Sequence, residues 1–118
     1  MAEQWSASEQ SRREAVLAGK SVLANLKNDR QLIAWAKENG LYVFIGRPSN
    51  WRNPYVLGED GDRPTVINSF RAYFAKKLGL QKRVPELKGK VLGCYCYPEP
   101  CHGEVLLQQI QQSLKDVA

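Results

Sequence analysis

The chain has 118 residues and a net charge of +5, with 43% hydrophobic and 25% charged residues, a composition that supports one soluble domain with a real core and is too short for two. No apolar run nears the roughly 20 residues of a membrane span, and the polar start Met1-Ala2-Glu3-Gln4-Trp5 lacks the pattern of a secretory signal. Three cysteines make an odd count in a chain without export signals, so the reading is a cytoplasmic protein with reduced thiols and no membrane partner.

In chain order, Ser6 to Leu17 predicts a leading helix, polar on most faces. Ser21-Val22-Leu23-Ala24-Asn25-Leu26 is a short apolar run that reads as a strand. Asn28 or Asp29 is placed to cap a helix running to about Asn39, with Leu32, Trp35 and Ala36 on one stripe, and Gly40 stops it. Leu41-Tyr42-Val43-Phe44-Ile45, β-branched and aromatic, predicts a second strand. A long irregular stretch, 46–61, follows. Asp62 then caps a helix with Pro64 in its first turn, burying Val66, Ile67, Phe70, Tyr73 and Phe74 and ending at Gly79. Val91 to Cys96 predicts a third strand. The last helix starts near Cys101 and turns Val105, Leu106, Ile110 and Leu114 inward.

Strands alternating with helices imply parallel pairing, so the expected fold is α/β: a small three-layer, Rossmann-like domain with a short, mostly parallel sheet of about three strands flanked by helices. Residues 1–20 read as an N-terminal helical extension and 21–118 as the single α/β domain. Parallel strands bring their carboxyl ends to one edge, where open α/β sheets bind ligands. The loops opening at Gly46-Arg47 and at Tyr97 should therefore emerge side by side.

The second of these loops carries the chain's most concentrated chemistry. Cys94-Tyr95-Cys96-Tyr97-Pro98-Glu99-Pro100-Cys101-His102 holds all three cysteines and the single histidine. One reading is a zinc site built from Cys94, Cys96, Cys101 and His102, although Cys-x-Cys and adjacent Cys-His depart from the usual knuckle spacing. A second is catalytic: a thiol at a helix N-terminus is acidified by the dipole, so Cys101 would serve as nucleophile and His102 as acid–base. The third makes Cys94 and Cys96 small buried hydrophobes and has His102 bonding backbone.

The first loop offers Arg47, Ser49, Trp51 and Asn53. Arg47 suits bidentate grip of a phosphate or carboxylate, Ser49 and Asn53 add neutral hydrogen bonds, and Trp51 can stack on a base. Equally, prolines and Asn-Pro make a rigid turn with Trp51 covering the core. Cys96 joins these four as a ligand-facing residue of the expected cleft. Farther on, Arg71, Lys76, Lys77, Lys82, Arg83, Lys88 and Lys90 face one acid, Glu86. Such a run can lie against nucleic-acid phosphates, chiefly through Lys76, Lys77, Lys82 and Arg83, but no aromatics are interleaved among those four to stack bases, and a solvated helix end explains it. The acidic stretch 58–62 lacks calcium-loop spacing and reads as a turn with a helix cap.

Taken in order, Tyr42-Val43-Phe44-Ile45-Gly46-Arg47-Pro48-Ser49, Trp51-Arg52-Asn53-Pro54-Tyr55, Gly61-Asp62-Arg63, Leu87-Lys88-Gly89-Lys90-Val91-Leu92-Gly93-Cys94-Tyr95-Cys96 and Pro98-x-x-Cys101-His102-Gly103 resemble domain of unknown function 4326, across roughly Val22 to Ile110. Arg52 stands where that family often has Gly, and Glu104 replaces the commoner Asp. The resemblance implies an intracellular bacterial or phage protein (host cytoplasm if phage-encoded) and supplies no reaction.

The expected function is thus recognition, with or without processing, of a phosphorylated or nucleotide-like ligand: Arg47 holds the anion, Ser49 and Asn53 orient it, and Cys101 and His102 do any chemistry. The alternative is a non-enzymatic module that binds nucleic acid or a host protein through the basic run, with a structural or zinc-bound cysteine cluster.

Overall fold

The computed structural model describes the backbone of residues 5–117 and the side chains of residues 5–112. Its elements are α1 (Ala7–Leu17), β1 (Val22–Asn25), α2 (Arg30–Glu38), β2 (Tyr42–Phe44), α3 (Arg63–Lys76), α4 (Leu78–Arg83), a 3-10 turn (Val84–Leu87), β3 (Val91–Cys94) and α5 (His102–Val117). The strands form one sheet in the order β1-β3-β2, and both pairings are parallel, Val22 and Tyr42 each standing beside Val91. This is the expected small α/β fold. Among the described residues no helix is long and apolar enough to cross a membrane.

The last strand in sequence is central in space, which explains its composition: Val91-Leu92-Gly93-Cys94 is buried throughout, as a strand covered on both faces must be. Alternation divides the core between those faces. Leu23, Leu92 and Cys94 join Phe70, Phe74, Leu87, Val105 and Leu106 from α3, the 3-10 turn and α5. Ala24 and Val91 join Val16, Leu32, Ile33 and Ala36 from α1 and α2. Gly93 leaves room for the Tyr42 ring, since a Cβ there would come within 2.6 Å of it.

The leading helix is tied to this frame by polar contacts. Its capping box pairs Ser6 with Glu9, and the buried Glu9 carboxylate reaches across to accept from the Leu32 amide at 2.9 Å. Arg12 forms a two-pronged ion pair with Asp29, 2.8 and 3.0 Å. Asp29 therefore does not cap α2 through its side chain as the sequence suggested; the carboxylate accepts instead from the Asn25 amide at 2.7 Å. Arg12 and that amide together lower the Asp29 pKa, outweighing the opposing effect of burial.

Three boundaries differ from expectation. The helix capped by Asp62 (side chain to Thr65 amide, 3.0 Å) breaks at Lys77, where ψ is 77°, and Gly79 lies inside the short helix that follows. The basic stretch behind it is not an open loop. Val84 and Leu87, three residues apart, are buried and pin the 3-10 turn to the core. The third strand ends at Cys94, level with the end of β1 at Asn25, so Tyr95 is 61% exposed. Val105, Leu106 and Ile110 do turn inward; the side chain of Leu114 lies outside the described residues.

Candidate functional site

Because β2 and β3 are neighbours, the segments leaving their carboxyl ends run side by side, and α3 and α5 close the space between them. A cavity of about 220 Å³ lies there, walled by Arg47, Asn53, Arg63, Cys96, Cys101 and His102 over an apolar floor that includes Val66 and Ile67. Topology alone anticipated this meeting of the arginine loop with the cysteine loop. Each loop carries a cis X-Pro peptide bond, Arg47-Pro48 and Tyr97-Pro98.

Of the first loop's four residues, two reach the cavity. Arg47 is exposed and its Nη2 donates to the Asn53 carbonyl at 3.1 Å. The Asn53 side chain is spent on backbone: Nδ2 donates to the Val66 carbonyl (3.1 Å) and Oδ1 accepts from the Tyr55 amide (3.0 Å). Asn53 thus fastens the loop to α3. Ser49 and Trp51 are not in the wall. Ser49 Oγ accepts from the Trp51 amide at 3.3 Å, and Trp51 is buried in the core with the Arg83 guanidinium 5.7 Å from its ring centre.

The three thiols converge. Cys94 and Cys101 are buried with their sulfurs 3.8 Å apart, and the half-buried Cys96 lines the cavity with Cys101 and Arg63. Cys101 heads α5 as expected: its amide donates to Glu104 at 3.1 Å, and its sulfur accepts from the Gly103 amide at 3.3 Å. The thiol at the helix start is nevertheless not the acidified one. Hydrogen bonds to Cys94 and Cys96, with burial, push the Cys101 thiol up. Hydrogen bonds from Cys101 and Cys94, then from Arg63, pull Cys96 well below the ordinary thiol range.

His102 is occupied by structure. Its Nε2 lies 2.8 Å from the Ile45 carbonyl, its edge meets the Phe70 ring with centres 5.1 Å apart, and burial lowers its pKa. The imidazole therefore stitches α5 to the end of β2. Among the described residues, no group of three or more His, Cys, Asp or Glu side chains is arranged to hold a metal ion.

Two contributors were missed in the sequence. Arg63 donates to the Pro100 carbonyl at 2.9 Å and bridges the two sides of the cavity. Its signal was positional: a cation in the first turn of a helix opposes the macrodipole and calls for another partner. Asn25, buried at the end of β1, holds the cysteine loop from below. Its Nδ2 donates to the carbonyls of Tyr95 (3.2 Å) and Tyr97 (2.7 Å), while Oδ1 accepts from the amides of Lys27 and Asn28. A polar side chain closing an apolar strand was the available clue.

The basic residues lie apart from this wall. Lys76, Lys77, Lys82 and Arg83 are exposed, but Arg83 is paired with Glu86 at 3.1 Å and Lys77 lies over the Tyr73 ring.

Against known proteins, the profile of the family described as Domain of unknown function (DUF4326) matches residues 24–112, which span both loops, β2 and β3. The chain belongs to the DUF4326 family. It is 32% identical over 78 residues to an uncharacterised 12.4 kDa protein from the nrdA-td intergenic region of Enterobacteria phage T4, covering 63% of this chain and 71% of that protein. It is also 32% identical over 84 residues to an uncharacterised protein of Acanthamoeba polyphaga mimivirus, covering 56% of this chain and 64% of that one. No solved structure matches. This DUF4326 chain is thus a domain shared with uncharacterised phage and viral proteins.

Proposed function

We propose that this DUF4326 domain binds a small phosphorylated or nucleotide-like ligand in the cleft at the strand carboxyl ends. The observation that carries this reading is the charge of the wall: Arg47 and Arg63 contribute two guanidinium groups, and among the described residues no carboxylate lines the cavity. Guanidinium forks suit phosphate oxygens, and two of them facing one cavity favour an anion there. Size narrows the class. A space of about 220 Å³ falls below the range of roughly 300–1,000 Å³ typical of drug-sized ligand sites, so it suits a sugar phosphate or part of a mononucleotide. In this scheme Arg47 and Arg63 hold the anion, the apolar floor takes the ring or sugar, and Asn53, Ser49 and Trp51 keep the loop in place.

The test is thermal unfolding in the presence of inorganic phosphate, ribose 5-phosphate, and nucleoside mono- and triphosphates. A bound ligand at a hundred times its Kd stabilises by about 2.7 kcal/mol, a shift of roughly 10 °C for a domain of this size. Arg47→Ala and Arg63→Ala should each keep the fold and lose that shift. If no anion stabilises the chain, and a salt-dependent nucleic-acid affinity instead disappears on changing Lys76, Lys77, Lys82 and Arg83, the cleft reading fails and the basic surface is the binding site.

A further inference from the structure

The cavity at the strand carboxyl ends does not stop at Arg63. A second space, of about 290 Å³, lies in the groove between α3 and α5, and the two share Arg63, Ile67 and Pro100. Helix spacing sets what this groove presents. Arg63, Ile67 and Arg71 recur every four residues of α3 and form one stripe. Its two arginines stand about 12 Å apart along the helix axis, at 1.5 Å per residue. Glu104 and Gln108, also four apart, form the facing stripe of α5. Gln108 accepts from Arg71 Nη1 and spans the groove at its far end. Arg63 spans the near end by donating to the Pro100 carbonyl at 2.9 Å. Each of these contacts uses one of the five N–H donors that a guanidinium carries.

We propose, resting on the cleft reading above, that the ligand is a nucleoside phosphorylated on both sides of its sugar, at the 5′ and 3′ positions. One phosphate is held between Arg47 and Arg63, and the other by Arg71. A monophosphate engages only the first cavity. A pyrophosphate keeps its two phosphorus atoms side by side, whereas a sugar between two phosphates separates them as the arginine stripe is separated. Between the cations the groove offers the apolar Ile67 and Pro100 and the neutral amides of Asn68 and Gln108, which suit a sugar and a base. Glu104 is the one carboxylate among the described residues that line it; the side chain is exposed and accepts from the Cys101 amide at 3.1 Å. Against two arginines it leaves the groove net positive, and a carboxylate is an acceptor for a sugar hydroxyl. Volume agrees. Neither cavity alone reaches the roughly 300 Å³ at which small-molecule sites begin, and joined across Arg63 they pass it. The same chemistry occurs in a free nucleoside bisphosphate and at the 5′-phosphorylated end of a nucleic-acid strand.

The experiment is isothermal titration of the full chain, at fixed salt, with the 5′-monophosphates of adenosine, guanosine, cytidine and uridine and with their 3′,5′-bisphosphates. For the base bound best, the second phosphate should tighten binding about tenfold or more, the worth of a charge-assisted hydrogen bond. Arg71 is exposed, so Arg71→Ala should fold, lose that gain and leave the monophosphate affinity unchanged. Arg71→Lys, which keeps the charge without the fork, should retain part of the gain. Arg47→Ala should weaken both ligands alike. Lys88, which lines neither cavity, is the control for general charge attraction, and Lys88→Ala should keep the gain. A 5′-phosphorylated dinucleotide that binds at least as tightly as the bisphosphate makes a strand end the source of the ligand; weaker binding makes it the free bisphosphate. Equal affinity for mono- and bisphosphate, a gain that survives Arg71→Ala, or one that Lys88→Ala removes as fully overturns this inference and leaves the cleft reading standing. No binding of any of these compounds overturns both.

Discussion

Asn25 offers the sharpest test of how the cysteine loop is held. Asn25→Ala removes four hydrogen bonds at once: two donated to the Tyr95 and Tyr97 carbonyls and two accepted from the Lys27 and Asn28 amides. At about 1 kcal/mol net for each bond, less what water restores at the exposed Tyr95, the loss is about 3 kcal/mol. A chain of 118 residues has an unfolding entropy near 0.25 kcal/mol/K, which converts that loss to a fall of about 12 °C in Tm. Asn25→Asp separates the two halves of the network. It keeps an oxygen for the two amides but sets a carboxylate against two carbonyls, close to the Asp29 carboxylate that accepts from the same residue's amide. Its loss at neutral pH should match or exceed that of Asn25→Ala and should shrink in acid, where the introduced carboxyl is protonated. Urea unfolding gives both numbers, and amide exchange across 95–101 reports the loop itself. A loss below about 1 kcal/mol for Asn25→Ala, with exchange across the loop unchanged, would refute this network as the loop's anchor.

Two glycine substitutions should move stability in opposite directions. A Cβ on Gly103 would stand 2.6 Å from Leu23 Cδ2 and 3.0 Å from Ile45 Cδ1, so Gly103→Ala should cost about 1–3 kcal/mol by overpacking, although alanine favours a helix by about 1 kcal/mol. Gly79, in α4, has nothing within 4 Å of the same position, and Gly79→Ala should be neutral or stabilising in the same urea series. His102, as the single histidine, can be titrated alone by NMR. Its midpoint should lie below 6.5, because burial disfavours the charged ring. With the folded pKa below the unfolded one, His102's contribution to stability is complete above about pH 6.5 and declines as pH falls toward the folded pKa. A midpoint at or above 6.5 would contradict the buried, neutral imidazole.

Most of the fold was legible because its cues are local. The run Val91 to Cys94, the Asp62 cap and the Val66, Phe70, Phe74 spacing each declare an element by periodicity or by a single side-chain bond. The misreadings share one cause. Lys76 to Lys90 was judged by its charges, yet Val84 and Leu87 decide its shape because they find room under α5. Asp29 occupies an N-cap position, but Arg12 from an earlier helix takes its carboxylate. Sequence spacing cannot reveal a competing partner that arrives from elsewhere in the chain.

The same division runs through the site. From sequence came the concentration of thiols and imidazole, the arginine loop, and the parallel topology that brings the two together. Those follow from residue type and from the rule that parallel strands share a carboxyl edge. Only the tertiary structure decided what each side chain is free to do. His102 and Asn53 are committed to backbone carbonyls, Trp51 is in the core, and Arg63 enters the wall beside Cys96. Cys101 starts α5, yet neighbouring thiols and burial raise its pKa, while the neighbouring thiols and the Arg63 cation lower that of Cys96.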